Sequence, residues 1–194
     1  MNNFSTIVVI MIIVLFGSPY AQKSVTEATQ MMPEIVDMGE MTVVGLSSLV
    51  SMKCNLIHQL WERFALREKE VKNIAIPGVA LEVAFDMKKV SKEGEREDWL
   101  FFDVVGLPVK NTKNIPEGMT FKKVPAHKYA KFVHKGPISK IMETYNYIYQ
   151  EWLPQSGYEF DWAACEVEWY DERFTIESED SEFDIYIPIK ELKQ

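Results

Sequence analysis

Cysteine is scarce in this 194-residue chain, which has two, Cys54 and Cys165. Two thiols cannot build a disulfide scaffold, nor a zinc site by themselves. In an oxidising compartment they have the option of pairing; otherwise both read as small buried hydrophobes, the usual setting of a free cysteine. Histidine is nearly as rare, with three residues, His58, His127 and His134. None stands at a fixed spacing from a cysteine or carboxylate, so neither a metal nor a cofactor is expected. The chain lacks a Gly-x-Ser-x-Gly elbow, which leaves Ser-His-Asp catalysis without support. Positive charge is also short: 21 Lys and Arg against 29 Asp and Glu give a net charge of −8. Without a basic stripe, binding to a phosphate backbone is disfavoured and no nucleic-acid partner is expected. The local group Lys122, Lys123, Lys128, Lys131 and Lys135 reads as a solvated strand face.

What the chain does have is core material, 47% hydrophobic and 12% aromatic residues, enough for one ordinary domain. The unbroken apolar run Ile7 to Phe16, then Gly17, Ser18, Pro19 and Ala21, has the form of a secretory signal peptide over 1–21. The rival is a retained anchor through residues 4–21, the one circumstance in which a membrane partner is expected. Either reading puts the folded part outside the cytoplasm, periplasmic or secreted. Residues 22–32 form a polar lead-in.

The remainder repeats itself. Shifting 54–105 by 84 positions lays Ile57, Trp61 and Phe64 on Ile141, Tyr145 and Ile148, and Ala80, Glu82, Val83 and Phe85 on Ala164, Glu166, Val167 and Trp169. Trp99, Phe101 and Val105 fall on Phe183, Ile185 and Ile189. Two units follow, 33–110 and 111–194, each strands, helix, strand, strand. The strands Ile35–Met38 and Thr42–Leu46 are expected to form a hairpin through Gly39 and Glu40. Phe121 to Val133 is expected to form the matching pair, turning at Pro125 to Lys128. Apolar residues at three and four residue steps predict helices from Cys54 to about Glu70 and from Ile138 to Trp152. Val79–Phe85, Trp99–Val105, Ala163–Tyr170 and Phe183–Ile189 complete the strands, with charged loops over 88–98 and 171–182. The fold class is therefore α+β: duplicated βαββ units, an antiparallel sheet with two helices packed on it, and a central groove at the seam, where ligand sites concentrate.

The repeat marks one odd residue. Ala80 to Phe85 aligns with Ala164 to Trp169, and Ala84 becomes Glu168. A carboxylate facing the seam needs a partner, because an unpaired buried anion is costly. Tyr170 shares a strand face with Glu168, whereas Trp169 alternates away. Tyr186 in the last strand corresponds to Phe102. Aromatic walls around a carboxylate suit an amphiphilic cation, and Glu168, Tyr170, Tyr186 and Phe102 are the candidate ligand-binding residues.

Phe132-Val133-His134-Lys135-Gly136-Pro137, then Tyr145 to Tyr149, Trp152 to Tyr158, and the closing Phe183 to Lys190 resemble the GyrI-like family, the effector-binding domain of AraC-type and multidrug-responsive regulators. The resemblance covers about 33–190. It implies two βαββ units around a groove for small, cationic or lipophilic molecules. It also implies an acidic anchor in a Glu-x-aromatic strand, here Glu168-Trp169-Tyr170, with Tyr186 as an aromatic wall. The chain departs from the regulators in showing no helix-turn-helix segment and in its outward-pointing N-terminus, so direct transcriptional control is not implied. The first expectation is an exported, non-enzymatic small-molecule binding protein. A second is a hydrolase of reactive lipophilic compounds, with Glu168 as general base and Tyr186 orienting the electrophile, as the resemblance suggests for stand-alone relatives. A protein-interaction module, or a haem-binding domain by distant similarity to the SOUL type, which would need an axial ligand, are further alternatives.

Overall fold

The computed structural model describes residues 31–51, 54–91 and 98–192. The expected signal peptide or anchor, and most of the charged loop after Lys89, lie outside the described residues. Among these, no helix is long and apolar enough to cross a membrane. Nine antiparallel strands carry two helices: β1 Glu34–Met38, β2 Met41–Ser51, α1 Ile57–Ala65, β3 Ala80–Lys89, β4 Trp99–Val109, β5 Thr120–Val124, β6 His127–Lys135, α2 Ile141–Asn146, β7 Tyr158–Phe160, β8 Glu166–Tyr170 and β9 Glu182–Glu191. The α+β architecture is as the sequence predicts. Strand β7, three residues added against the end of β9, was not legible in the sequence. Helix α1 stops at Ala65, short of Glu70, and the last three residues of that span form a separate 3₁₀ turn.

The sheet order is β1-β6-β9-β8-β3-β4-β2-β5. The expected hairpins are therefore absent. β1 pairs with β6, from Glu34 opposite Lys131 to Met38 opposite His127, and β5 pairs with β2, from Thr120 opposite Gly45 to Val124 opposite Met41. A two-residue hairpin needs a primed turn with positive φ. Gly39 is not among the residues with positive φ, and Pro125 is held at negative φ by its ring. Each corner instead carries the chain from one half of the sheet to the other, tying the first strand of each half to the second strand of the other.

Between β2 and β4 the backbones approach closely where Gly45 faces Gly106. A Cβ on Gly45 would stand 1.9 Å from the Val105 carbonyl oxygen, and one on Gly106 would stand 2.3 Å from that of Val44. Backbone cannot move aside as a flexible side chain can. Gly45→Ala or Gly106→Ala should therefore cost about 3 kcal/mol or more, seen as a lowered midpoint in a urea titration.

The core lies on both faces of the sheet. α1 packs Leu60 and Phe64 onto Val44, Leu46, Val105 and Leu107 of β2 and β4. α2 and the turns that continue it pack Ile141, Ile148 and Trp152 onto Phe132, Ile185 and Ile187 of β6 and β9. The opposite face buries Val43, Leu81, Val83, Val104, Val124 and Val167, with Tyr186 and Trp169 against them. Each helix thus covers the outer strands of its own half. The space over the two middle strands, β3 and β8, is left open between the helices.

Cys165 is buried, but Cys54 is exposed and both thiols are free. The expectation that both are core residues fails for Cys54. It sits just ahead of α1, bridged by backbone to Ser51, where the chain has left the sheet and not yet entered the helix.

Candidate functional site

The middle strands meet in register at Val83 opposite Val167, with Glu82 opposite Glu168 and Ala84 opposite Glu166. Alternation sends the valines to the back face. Glu82, Ala84, Glu166, Glu168 and Tyr170 point the other way, into a cavity of about 600 Å³ between the helices. α1 supplies Trp61 and His58 to one wall; α2 and its continuation supply Ile141, Met142, Tyr145 and Tyr149 to the other. Beyond α2 the helix widens into a π turn over Tyr147–Trp152, a form common at functional sites. Tyr145 and Tyr149 stack there at 6.1 Å and 8°.

A bulge re-aims one more residue. The register of β3 shifts between Phe85 and Lys88, around Asp86 at φ 53°. Met87, which simple alternation would turn to the back face, joins the cavity wall. Trp99 stacks on Trp162 at 5.0 Å and 8°, and Phe160 lies against Trp162 at 4.7 Å. Trp162 and Met142, both exposed and both lining the cavity, mark its mouth.

The floor is acidic. Glu82, Glu166, Glu168 and Asp103 are all buried. Donors from the walls reach three of them: Trp61 Nε1 donates to Glu82 Oε2 at 2.7 Å, Tyr145 Oη donates to Glu168 Oε1 at 2.6 Å, Tyr170 Oη donates to Glu168 Oε2, and Tyr149 Oη donates to Glu166 Oε2. Asp103 is set against Glu82, and the two buried carboxyls interact with each other. Burial raises the pKa of all four. Glu82 is held well above the carboxylate range by desolvation and by the charges of Asp103 and Glu168. Desolvation pushes Asp103 to about 8 and Glu166 to about 7. Glu168 is raised by burial too, against the pull of its two phenol donors. The phenols Tyr145, Tyr149 and Tyr170 are driven well above their usual value, by burial first and then by the carboxylates beside them. Among the described residues no cation pairs with these acids. Buried together, the four acids disfavour one another's ionised forms and keep their protons to higher pH than free carboxylates do.

The sequence-derived site is half assembled. Glu168 and Tyr170 lie together in the cavity, joined by a hydrogen bond. Tyr186 and Phe102 do not: Tyr186 packs on the back face against Tyr129 and Trp169, and Phe102 stacks on Phe85 and is 44% exposed. Strand alternation separates them, since Ile185 and Ile187 of β9 face α2 and Tyr186 between them must face away. Glu82, Glu166, Trp61, Tyr145 and Tyr149 were missed. Their signal was present in the sequence, because Glu82 and Glu166 share the parity of Ala84 and Glu168, but matched positions of a repeat do not draw the eye. His134 is buried, its ring nitrogens 2.8 Å from Thr144 Oγ1 and 3.3 Å from the Pro137 oxygen, and His127 lies 3.4 Å from Asp161. Neither is among the residues lining the cavity. In the lysine group Lys123 and Lys135 are exposed, Lys122 Nζ sits 3.6 Å from the centre of the Phe85 ring, and Lys128, Lys131 and Lys135 meet Glu191, Asp184 and Glu182.

One substitution tests the donor arrangement directly. Tyr145→Phe removes a phenol from Glu168 and leaves the wall in place. Ligand-free protein should lose about 1 to 2 kcal/mol if Glu168 is ionised, measured by urea unfolding at pH 8.

Comparison with known proteins places this geometry in context. The sequence profile of the GyrI-like small molecule binding domain matches residues 31–190. The transcriptional regulator BrlR of Pseudomonas aeruginosa is 37% identical over 156 residues, 80% of this chain and 54% of the regulator, so the chain spans about half the length of that relative. SAV2435, solved bound to tetraphenylphosphonium, shares the fold with a TM-score of 0.64 at 15% identity, over 82% of this chain and 94% of that one. The C-terminal domain of EcmrR superposes with a TM-score of 0.54 at 20% identity, over 84% of this chain and 99% of that one.

Proposed function

The chain belongs to the GyrI-like small molecule binding domain family, and from that premise we propose that its cavity captures lipophilic cations, with Glu168 as the charged anchor. The observation that supports this most is the setting of Glu168: a buried carboxylate with both oxygens held by phenols, under aromatic walls, and with another carboxyl directly across the ladder. A cation entering there regains for the carboxylate what desolvation took away, and ring faces of Trp61, Tyr145 and Tyr170 attract positive charge while burying apolar surface. The cavity volume suits a drug-sized molecule. That a protein of the same fold is solved with tetraphenylphosphonium makes this ion the natural first probe. Thermal unfolding with tetraphenylphosphonium, and with the neutral triphenylphosphine oxide of similar shape, tests the proposal. The cation should raise the midpoint by several degrees at saturating concentration and the neutral compound should not. Equal shifts from both would show an apolar cavity in which charge has no part.

The proposed role is ligand capture, and nothing of the regulators' wider activity is carried over to this chain. We place the domain outside the cytoplasm on the strength of the apolar run Ile7 to Phe16, a reading checked by fractionating cells that express the full chain.

One observation favours hydrolysis as a second reading: Glu166, held near 7 and bonded to Tyr149, has the properties of a general base at neutral pH. The pairing with Tyr186 that the sequence suggested is not available, because that phenol is on the far side of the sheet. Turnover of a reactive lipophilic ester or epoxide, lost in Glu166→Gln, is the result that would favour this reading.

A further inference from the structure

The cavity has two anionic stations. At the first, Glu168 accepts from Tyr145 and Tyr170, and Glu82 faces it across the ladder. At the second, Glu166 accepts from Tyr149 and faces the methyl group of Ala84. Residues two apart on a strand project to the same side with Cα atoms about 7 Å apart. The stacked rings of Tyr145 and Tyr149 are spaced to match, one phenol per carboxylate. The small side chain at Ala84 leaves room above the second station. The stacked Trp99 and Trp162, with Phe160, form aromatic surface toward the same end of the cavity, as the contact of Phe160 with Tyr149 shows. Opposite Ala84 on β4 lies Asp103, wholly buried, a further acid that interacts with Glu82, Glu166 and Glu168. One positive charge at Glu168 leaves this second set uncompensated.

We propose that the cavity is made for a dication: a molecule with two cationic groups about 7 Å apart, one at Glu168 and one at Glu166, joined by an apolar or aromatic spacer lying across β8. This rests on the lipophilic-cation reading and specifies its ligand class. The second station is also conditional on pH. The groups facing Glu166 are the carboxyls of Glu168 on β8, Glu82 on β3 and Asp103 on β4, and the phenols of Tyr145 and Tyr149, with His58 on the α1 wall. Glu166 is charged above about pH 7 and increasingly neutral below it. The preference for two charges over one should therefore grow as pH rises.

A matched pair of probes tests this: benzyltrimethylammonium, with one charge, and 1,4-bis(trimethylammoniomethyl)benzene, with two. Affinities for the folded chain are measured by calorimetry at pH 6 and pH 8, with tetraphenylphosphonium as reference. At pH 8 the dication should bind at least about tenfold more tightly than the monocation. The ratio should shrink at pH 6, and in Glu166→Gln it should stay near one at both. If that variant does not fold, the pH dependence of the ratio in the unaltered protein decides. A ratio near one at pH 8, or a ratio indifferent to pH, overturns the inference, as does failure of both probes where tetraphenylphosphonium binds. Failure of tetraphenylphosphonium itself overturns the underlying reading of the cavity.

Discussion

Glu168→Gln should lower the affinity for tetraphenylphosphonium by about thirtyfold or more. Removing one partner of a desolvated ion pair costs about 2 to 5 kcal/mol, and each 1.4 kcal/mol is a factor of ten. Glutamine keeps the shape and one acceptor oxygen, so Tyr145 or Tyr170 retains a bond and the aromatic walls stay in place. The loss is then electrostatic. The same change should leave the ligand-free fold at least as stable as before, because it removes a buried charge that faces Glu82. Loss of binding with retained stability distinguishes an anchor from a structural residue. A variant that unfolds would point to a structural role for Glu168, and one that binds normally would remove it from the site. Both affinity and midpoint are read from one calorimetric and one urea series.

The ligand-free protein should also become less stable as pH rises from about 5 to 8. Glu82, Asp103, Glu166 and Glu168 all have raised folded-state values, two of them at about 8 and about 7, while in the unfolded chain such groups titrate near 4. Between those limits the folded state holds more protons than the unfolded state. Stability is full below the unfolded values and is lost as pH climbs through the folded ones, at about 1.4 kcal/mol per pH unit for each retained proton. Over three units the sum is on the order of 5 kcal/mol, allowing for incomplete occupancy. His134 works in the opposite sense, since burial lowers its value and keeps it neutral, but it is one group against four. Urea midpoints at pH 5, 6, 7 and 8 check the trend. In Glu166→Gln the slope should flatten above pH 5, and saturating tetraphenylphosphonium should flatten it as well. A stability that holds level or increases toward pH 8 would mean the four acids are compensated inside the protein.

These two effects come from one feature of the fold, and part of that feature was readable beforehand. The 3-4 spacing of Ile57, Leu60, Trp61 and Phe64 located a helix, and alternation located β3 and β8. Setting Ala84 beside Glu168 singled out the carboxylate proposed as anchor, and parity placed Tyr170 with it. The same parity, applied to Phe183, Ile185, Ile187 and Ile189, would have removed Tyr186 from the site. Its correspondence with Phe102 points to the site, but alternation turns Tyr186 to the back face. Trp61, Tyr145 and Tyr149 sat on helical stripes that read as core. They are indeed half packed, and their indole and hydroxyl groups also bond the carboxyls of the floor, which no periodicity reports. The exchange of β1 and β5 between the halves was not legible because strand partners are chosen across the whole sheet, whereas a short corner such as Gly39-Glu40 gives local information alone. The four-carboxyl floor needed the register as well: only when Glu82 is seen opposite Glu168 does the excess of charge appear.

Proton release on ligand binding tests the central claim, that a cation replaces protons on a desolvated acidic floor. Tetraphenylphosphonium is titrated into the protein at pH 7 in two buffers of different ionisation enthalpy, and the difference in apparent heat counts the protons exchanged. A positive charge at Glu168 lowers the values of Glu166, Asp103 and Glu82 together, so the protein should release a sizeable fraction of a proton, up to about one, per ion bound. Binding with no release, or with proton uptake, would contradict the account.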